Sequence, residues 1–153
     1  MTPVRLESIV FTGFVTLGSG IQLMYFARRV YYAREKYRIT YPAVTGNVAF
    51  ERIYTAQQNT LEWYPVFMTS LWTSSLFLHQ VPASICGLIY MISRHRYFDG
   101  CSHSMEERQP GFYTGTRCLV AMSVMAAVGL LRTLLRMNWA DVTRPVFRSC
   151  RFR

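Results

Sequence analysis

FERIYTAQQNTLEWYP, residues 50–65, leads into a long apolar segment yet crowds its entrance with Arg52, Gln57, Gln58, Asn59 and Glu62. On a helix, Arg52, Thr55, Asn59 and Glu62 fall at i, i+3, i+7 and i+10 and so form one stripe. A carboxylate and an amide at the rim of a bilayer are costly unless something polar faces them. The stripe is therefore a candidate polar-ligand site inside a membrane protein.

Working outward, four apolar segments stand out, from about Ile9 to Val30, Asn59 to Leu78, Pro82 to Tyr97 and Thr114 to Leu135. The middle two are short for a span of about 20 residues, but their polar ends can continue as helix into the headgroup layer. Between them lie only His79, Gln80, Val81 and Pro82, and Pro82 suits the first turn of a helix. This predicts a tight antiparallel hairpin. Residues 31–49, with Pro42 and Gly46, and residues 98–113, with Gly100, Pro110 and Gly111, read as loops. The expected architecture is all-α: a four-helix integral membrane domain over residues 1–137, followed by a basic tail over 138–153. That tail lies along the membrane surface or is disordered.

Composition agrees. Of 153 residues, 51% are apolar and 16% charged, against about 25% charged in soluble domains. A net charge of +9 can signal nucleic acid, but these arginines sit between apolar segments, as span-flanking residues do; no nucleic-acid partner is expected. Cys86, Cys101, Cys118 and Cys150 form no CxxC pair and no Cys/His metal spacing, so neither a disulfide nor a metal is expected. Cys86 and Cys118 read as small core residues. The first segment lacks a basic head and reads as a retained span, not a cleaved signal. Even span number puts both termini on one side. Ten basic residues then flank the long loops, against seven on the terminal side, which favours cytosolic loops.

Further along, Tyr90, Arg94, Tyr97 and Cys101 recur on one helical face. Two readings of Arg94 and Tyr97 stay open. Arg94 is a snorkelling anchor with Tyr97 in an aromatic belt, or both share the layer of Arg52 and Glu62 across the hairpin. Arg34, just past the first helix, and Arg108, in the loop before the fourth, fall at that level. Such an excess of positive charge around one intramembrane carboxylate suits a zwitterionic, peptide-like anion. Arg forks hold its carboxylates and Glu62 its ammonium.

FERIYTAQQNTLEWYP, together with GLIYMISRHRYFDG at 87–100 and ITYPAVTG at 39–46, resembles the superfamily of membrane-associated proteins in eicosanoid and glutathione metabolism. The resemblance covers most of the chain. It implies a four-helix protomer, a homotrimer, and glutathione bound between neighbouring subunits near the cytosolic face. It also implies residence in the endoplasmic-reticulum membrane and nuclear envelope. AREKY at 33–37 before TYPAVTG resembles the branch of transferases and leukotriene C4 synthases, while QVPA at 80–83 and YTA at 54–56 resemble the 5-lipoxygenase-activating proteins, which are lipid-binding scaffolds without catalysis.

On the enzyme branch's pattern, Arg34, Gln57, Asn59, Glu62, Trp63 and Tyr97 stand where glutathione is held. Arg108 stands where an arginine stabilises its thiolate, a cation that the scaffold branch lacks. The implied activity is glutathione transfer to an electrophilic lipid, most concretely leukotriene A4 to leukotriene C4, with peroxidase activity as a side reaction. A lipid-presenting scaffold is the alternative, and a purely structural trimer would not need a buried Glu62. Three departures matter. Thr55 replaces an arginine and removes one carboxylate clamp. Trp63 replaces Tyr or Phe but can stack or donate one hydrogen bond. Cys101 replaces a tyrosine and reads as an idle loop thiol. Trp72, Trp139 and Met122 to Met125 read as packing or interface residues and His79 as an interfacial loop residue, and a role as base for His95 or His103 is outweighed by the bland reading.

Overall fold

The computed structural model describes residues 6–103 and 106–137. The predicted tail at 138–153, with Trp139, lies outside the described residues. A 3-10 turn at Leu6–Ser8 precedes four α-helices, α1 (Val10–Tyr37), α2 (Val48–Phe77), α3 (Gln80–His103) and α4 (Gln109–Arg136). No strand occurs among the described residues.

Each helix outruns its apolar segment. Residues 31–37 hold no Gly or Pro, so α1 continues to Tyr37 and stops where Arg38 turns left-handed, at φ 54°. Arg34 therefore sits in the last turn of α1 and not past its end. α2 starts eleven residues before Asn59 because Asn47 caps it, its side chain accepting from Ala49 N at 2.9 Å and Phe50 N at 3.3 Å. The whole stretch 50–65 is consequently helical. α3 runs on through Gly100 and Cys101, and Pro110 lies in the first turn of α4, where a missing N–H costs nothing. Of the expected loop at 98–113, residues 98–103 thus belong to α3 and 109–113 to α4. The α2–α3 hairpin turns on Leu78 and His79 alone, and His79 Nδ1 accepts from Val81 N at 3.2 Å.

Among the described residues, α1 and α4 are long and apolar enough to cross a membrane on composition alone. α2 and α3, at 30 and 24 residues, have the length but carry the polar groups of the candidate site.

Polar pairs and glycines join the helices, as expected where lipid removes most of the hydrophobic drive between them. Thr12 and Ser75 hydrogen-bond between α1 and α2, with Ser19 to Tyr64 at 3.1 Å two turns further along α1. Gln22 Nε2 donates to Met91 O at 2.9 Å, tying α1 to α3. Ser70 and Ser123 meet at 3.1 Å between α2 and α4. At Gly129 a Cβ would stand 2.7 Å from the Phe77 carbonyl, so only glycine lets α4 reach the end of α2. Phe67, Leu71, Tyr90, Cys118, Leu119 and Met122 form the main core, with Cys86 packed against it. Phe14, Leu17 and Met24 of α1 and Val120, Val124 and Leu131 of α4 face outward and exposed, an apolar exterior suited to lipid and not to water.

Candidate functional site

At the C-terminal end of α3 the buried group is Arg94, only 2% exposed. It does not snorkel. Its Nε donates to the Tyr90 hydroxyl at 3.0 Å and its Nη1 to Asn59 Oδ1 at 3.0 Å. The guanidinium carbon also lies 5.2, 5.5 and 5.9 Å from the ring centroids of Tyr90, Tyr97 and Trp63. Dipoles and aromatic faces thus meet a cation withdrawn from water. Helical spacing brings Tyr90, Arg94 and Tyr97 to one face of α3, and the antiparallel hairpin brings Asn59 and Trp63 of α2 opposite them.

Trp63 is half-buried and meets Phe112 edge-on at 6.4 Å, and Phe112 in turn meets Tyr97 at 6.1 Å. One turn beyond Tyr97, Cys101 is buried on α3. Its thiol lies against both the Tyr97 hydroxyl and the Arg108 guanidinium. Cys101 lies on α3 and not in a loop, because α3 is longer than its apolar segment. Cys101 is a wall of the same cluster.

Arg108 is half-buried as the N-cap residue of α4. Two close approaches set its position. A Cβ at Gly100 would stand 2.7 Å from Glu107 O and 2.8 Å from Arg108 N. A Cβ at Gly111 would stand 2.7 Å from Tyr97 N and 2.8 Å from Ser93 O. Real Cβ atoms do not come so close, so these glycines let the 106–111 backbone lie directly on α3.

The α2 stripe keeps its predicted alignment. Arg52, Thr55 and Glu62 are exposed and Asn59 half-buried. Glu62 was expected to be buried, yet it stands on the outer wall of the protomer, beside the Arg94 cluster but open to whatever covers this face. Gln57 lies about 160° round the helix from Asn59 and takes no part in that face. Arg34 is also elsewhere. It is buried, donates to Ala43 O at 2.5 Å, and is boxed between the rings of Tyr41 and Phe50 at 4.3 and 4.9 Å. None of these partners belongs to the Arg94 cluster. One chain therefore assembles Asn59, Trp63, Tyr97 and Arg108, with Glu62 at their edge, and holds Arg34 and Gln57 apart.

Sequence reasoning left Arg94 undecided and gave Tyr90 no role. The spacing that put them on one helix face was visible; the burial was not. His95 lies outside the cluster, exposed, 3.4 Å from Asp99 and stacked on Tyr25. Arg29 reaches the same Asp99 at 3.2 Å, and Phe26 stacks on Phe98 at 4.3 Å. This seam locks α1 to α3 behind the site.

The arrangement offers a buried cation, a half-buried second cation beside a thiol and a phenol, and a carboxylate at an open edge. An anion with an ammonium group fits that charge pattern.

The sequence profile of the MAPEG family matches residues 12–128. The chain is 43% identical over 117 residues to a microsomal glutathione S-transferase 2 of Bos taurus, covering 76% of this chain and 80% of that one. It is 45% identical to that of Mus musculus, over 79% of this chain and 82% of the relative. A leukotriene C4 synthase of Bos taurus is 37% identical over 129 residues, 84% of this chain and 86% of the relative.

Proposed function

Because the chain belongs to the MAPEG family, we propose that it is a membrane glutathione transferase, adding the glutathione thiolate to an electrophilic lipid. The observation that carries this reading is the half-buried Arg108 beside Cys101 and Tyr97, with Tyr97 joined through Arg94 to Asn59. Relatives named glutathione S-transferase and leukotriene C4 synthase support it.

In this reading Glu62 accepts from the glutathione ammonium. Asn59, Trp63 and Tyr97 line the bound tripeptide, and Arg108 faces its sulfur. A cation beside a thiol lowers its pKa from about 8.5, and two pKa units correspond to roughly 2.7 kcal/mol. The thiolate then attacks an epoxide carbon of the lipid. A C–S bond forms, the C–O bond breaks, and the oxygen takes up a proton. Arg34 and Gln57 join the site from a neighbouring copy, which requires a homo-oligomer, here a trimer. Thr55 leaves the glutathione carboxylates one clamp short, so affinity is modest.

The finer assignment is leukotriene A4 as the electrophile and leukotriene C4 as product, with lipid hydroperoxide reduction as a side reaction. The protein sits in the endoplasmic-reticulum membrane and nuclear envelope, with the 38–47 and 104–108 segments facing the cytosol. The test is a conjugation assay on purified protein, with glutathione and either leukotriene A4 or a chromogenic aryl halide. Turnover with both supports a general transferase, and turnover with leukotriene A4 alone a dedicated synthase. Binding of arachidonate-like lipid without any thiolate or conjugate would replace the transferase by a lipid-presenting scaffold.

A further inference from the structure

The cluster at the end of α3 holds a thiol that the transferase reading leaves unused. Cys101 is 7% exposed and packs with Phe26, Tyr97 and Phe98, whereas Cys86 and Cys118 belong to the main core. The Cys101 sulfur makes hydrogen-bonding contact with the Arg108 guanidinium and with the Tyr97 hydroxyl. The backbone sets the first of these contacts. Cys101 follows Gly100 directly, and Gly100 is where α3 meets the Glu107 and Arg108 backbone too closely for any Cβ. Thiol and cation are therefore held together by the joint of α3 with the start of α4.

A guanidinium carries five N–H donors in one plane, so two sulfurs that share it lie side by side. In the proposed function Arg108 faces the glutathione sulfur, which brings that sulfur within bonding reach of Cys101. Burial divides their roles. The glutathione sulfur has to be open to a lipid electrophile. Cys101, enclosed by rings, is not; it meets only what the first sulfur becomes. Reduction of a hydroperoxide consumes two thiols, and a site with one glutathione and Cys101 holds both.

We propose that Cys101 is the resolving thiol of a glutathione-dependent lipid hydroperoxide reduction at this site, forming a mixed disulfide with oxidised glutathione. The proposal rests on the transferase reading, since it needs glutathione at Arg108. The glutathione thiolate attacks the terminal oxygen of the hydroperoxide. An S–O bond forms, the O–O bond breaks, and the lipid alkoxide takes up a proton and leaves as alcohol. Cys101 then attacks the sulfenic sulfur of glutathione. An S–S bond forms, and the oxygen leaves as water with the Cys101 proton. A second glutathione thiolate attacks the glutathione sulfur of this disulfide and departs as glutathione disulfide. Cys101 is released as a thiolate beside Arg108, whose charge stabilises it, and regains a proton. In sum, one hydroperoxide and two glutathione thiols give one alcohol, one water and one disulfide.

The test uses the purified full chain in nanodiscs with a fatty-acid hydroperoxide and one equivalent of glutathione. A Cys101–glutathione disulfide should accumulate, mapped by tandem mass spectrometry, and excess glutathione should discharge it. Cys101→Ser keeps a hydrogen-bonding hydroxyl beside Arg108. It should lower the ratio of peroxidase to aryl-halide conjugation rate about tenfold or more, the advantage of a positioned thiol over one arriving from solution. A merely structural role would lower both rates together, so an unchanged ratio would overturn the proposal. So would hydroperoxide turnover without the disulfide, or conjugation without any hydroperoxide reduction. Dimedone capture of a sulfenic acid on Cys101 would overturn it as well, because Cys101 would then meet the hydroperoxide first. Wild-type protein that fails to conjugate and forms no adduct would bring down the transferase reading and this proposal together. Conjugation without the adduct brings down the proposal alone.

Discussion

Arg94 donates from Nη1 to Asn59 Oδ1 at 3.0 Å, across the two helices of a hairpin whose turn is only two residues long. This bond fixes an α2 side chain that faces the candidate glutathione site to a cation that α3 keeps buried. Removing the cation strands two polar groups, Asn59 Oδ1 and the Tyr90 hydroxyl. Arg94→Met should therefore destabilise the fold by about 2–6 kcal/mol, at roughly 1–3 kcal/mol for each of the two groups left unpaired. Thermal unfolding in detergent measures it. A loss under 1 kcal/mol would mean the pocket rehydrates.

Glu62 contrasts with Arg94 because it is exposed, and its replacement carries little folding cost. Glu62→Gln should weaken glutathione binding about ten- to hundredfold, the loss of a charge-assisted hydrogen bond worth roughly 1.5–3 kcal/mol. Calorimetry on the folded variant reads it, and unchanged affinity would return Glu62 to a surface role. Thr55→Arg, two turns away on the same stripe, should tighten binding.

For Arg108 the expected signature is kinetic. Arg108→Ala should slow conjugation much more than it weakens glutathione binding. The absorbance of bound thiolate near neutral pH should fall as the thiol pKa rises. Equal losses in binding and turnover would make Arg108 a mere binding residue.

Gly100 offers an indirect test of the same group. A Cβ there would meet the Glu107 and Arg108 backbone at 2.7–2.8 Å, so the loop must shift. Gly100→Ala should lower kcat while the thermal midpoint drops by only a few degrees. Gly13→Ala is the control, since nothing lies within 4 Å of its added Cβ. A normal kcat in Gly100→Ala would show that Arg108 tolerates displacement.

The separation of Arg34 and Gln57 from Asn59 and Glu62 leads to a complementation experiment. Arg34→Ala and Glu62→Gln chains should each be weakly active alone. Co-expressed, they should regain activity in mixed oligomers, where about a quarter of the shared sites combine two intact halves in a cyclic assembly. Activity that merely averages the two variants would place each site within one chain.

Much of this protein was legible in the chain itself. The all-α membrane class followed from four apolar segments and the sparse charge. The stripe of Arg52, Thr55, Asn59 and Glu62 followed from the helical period, which depends only on backbone geometry. Family membership followed from the same stretch. Element ends were less legible. Apolar content ends where the hydrocarbon ends, whereas helices end where capping and backbone conformation stop them, at Asn47 and Arg38. That difference left Cys101 between a helix face and a loop, and the longer α3 carries it into the cluster. Burial was not legible at all. Glu62 and Arg94 are both charged residues near a span boundary, yet one faces outward and the other is enclosed by Tyr90, Tyr97, Trp63 and Asn59. Only packing decides which side of a helix meets another helix, because periodicity fixes which residues share a face and not what that face touches. The close approaches at Gly100 and Gly111 that position Arg108 were likewise decided by tertiary structure, since each is a contact between segments the chain keeps apart.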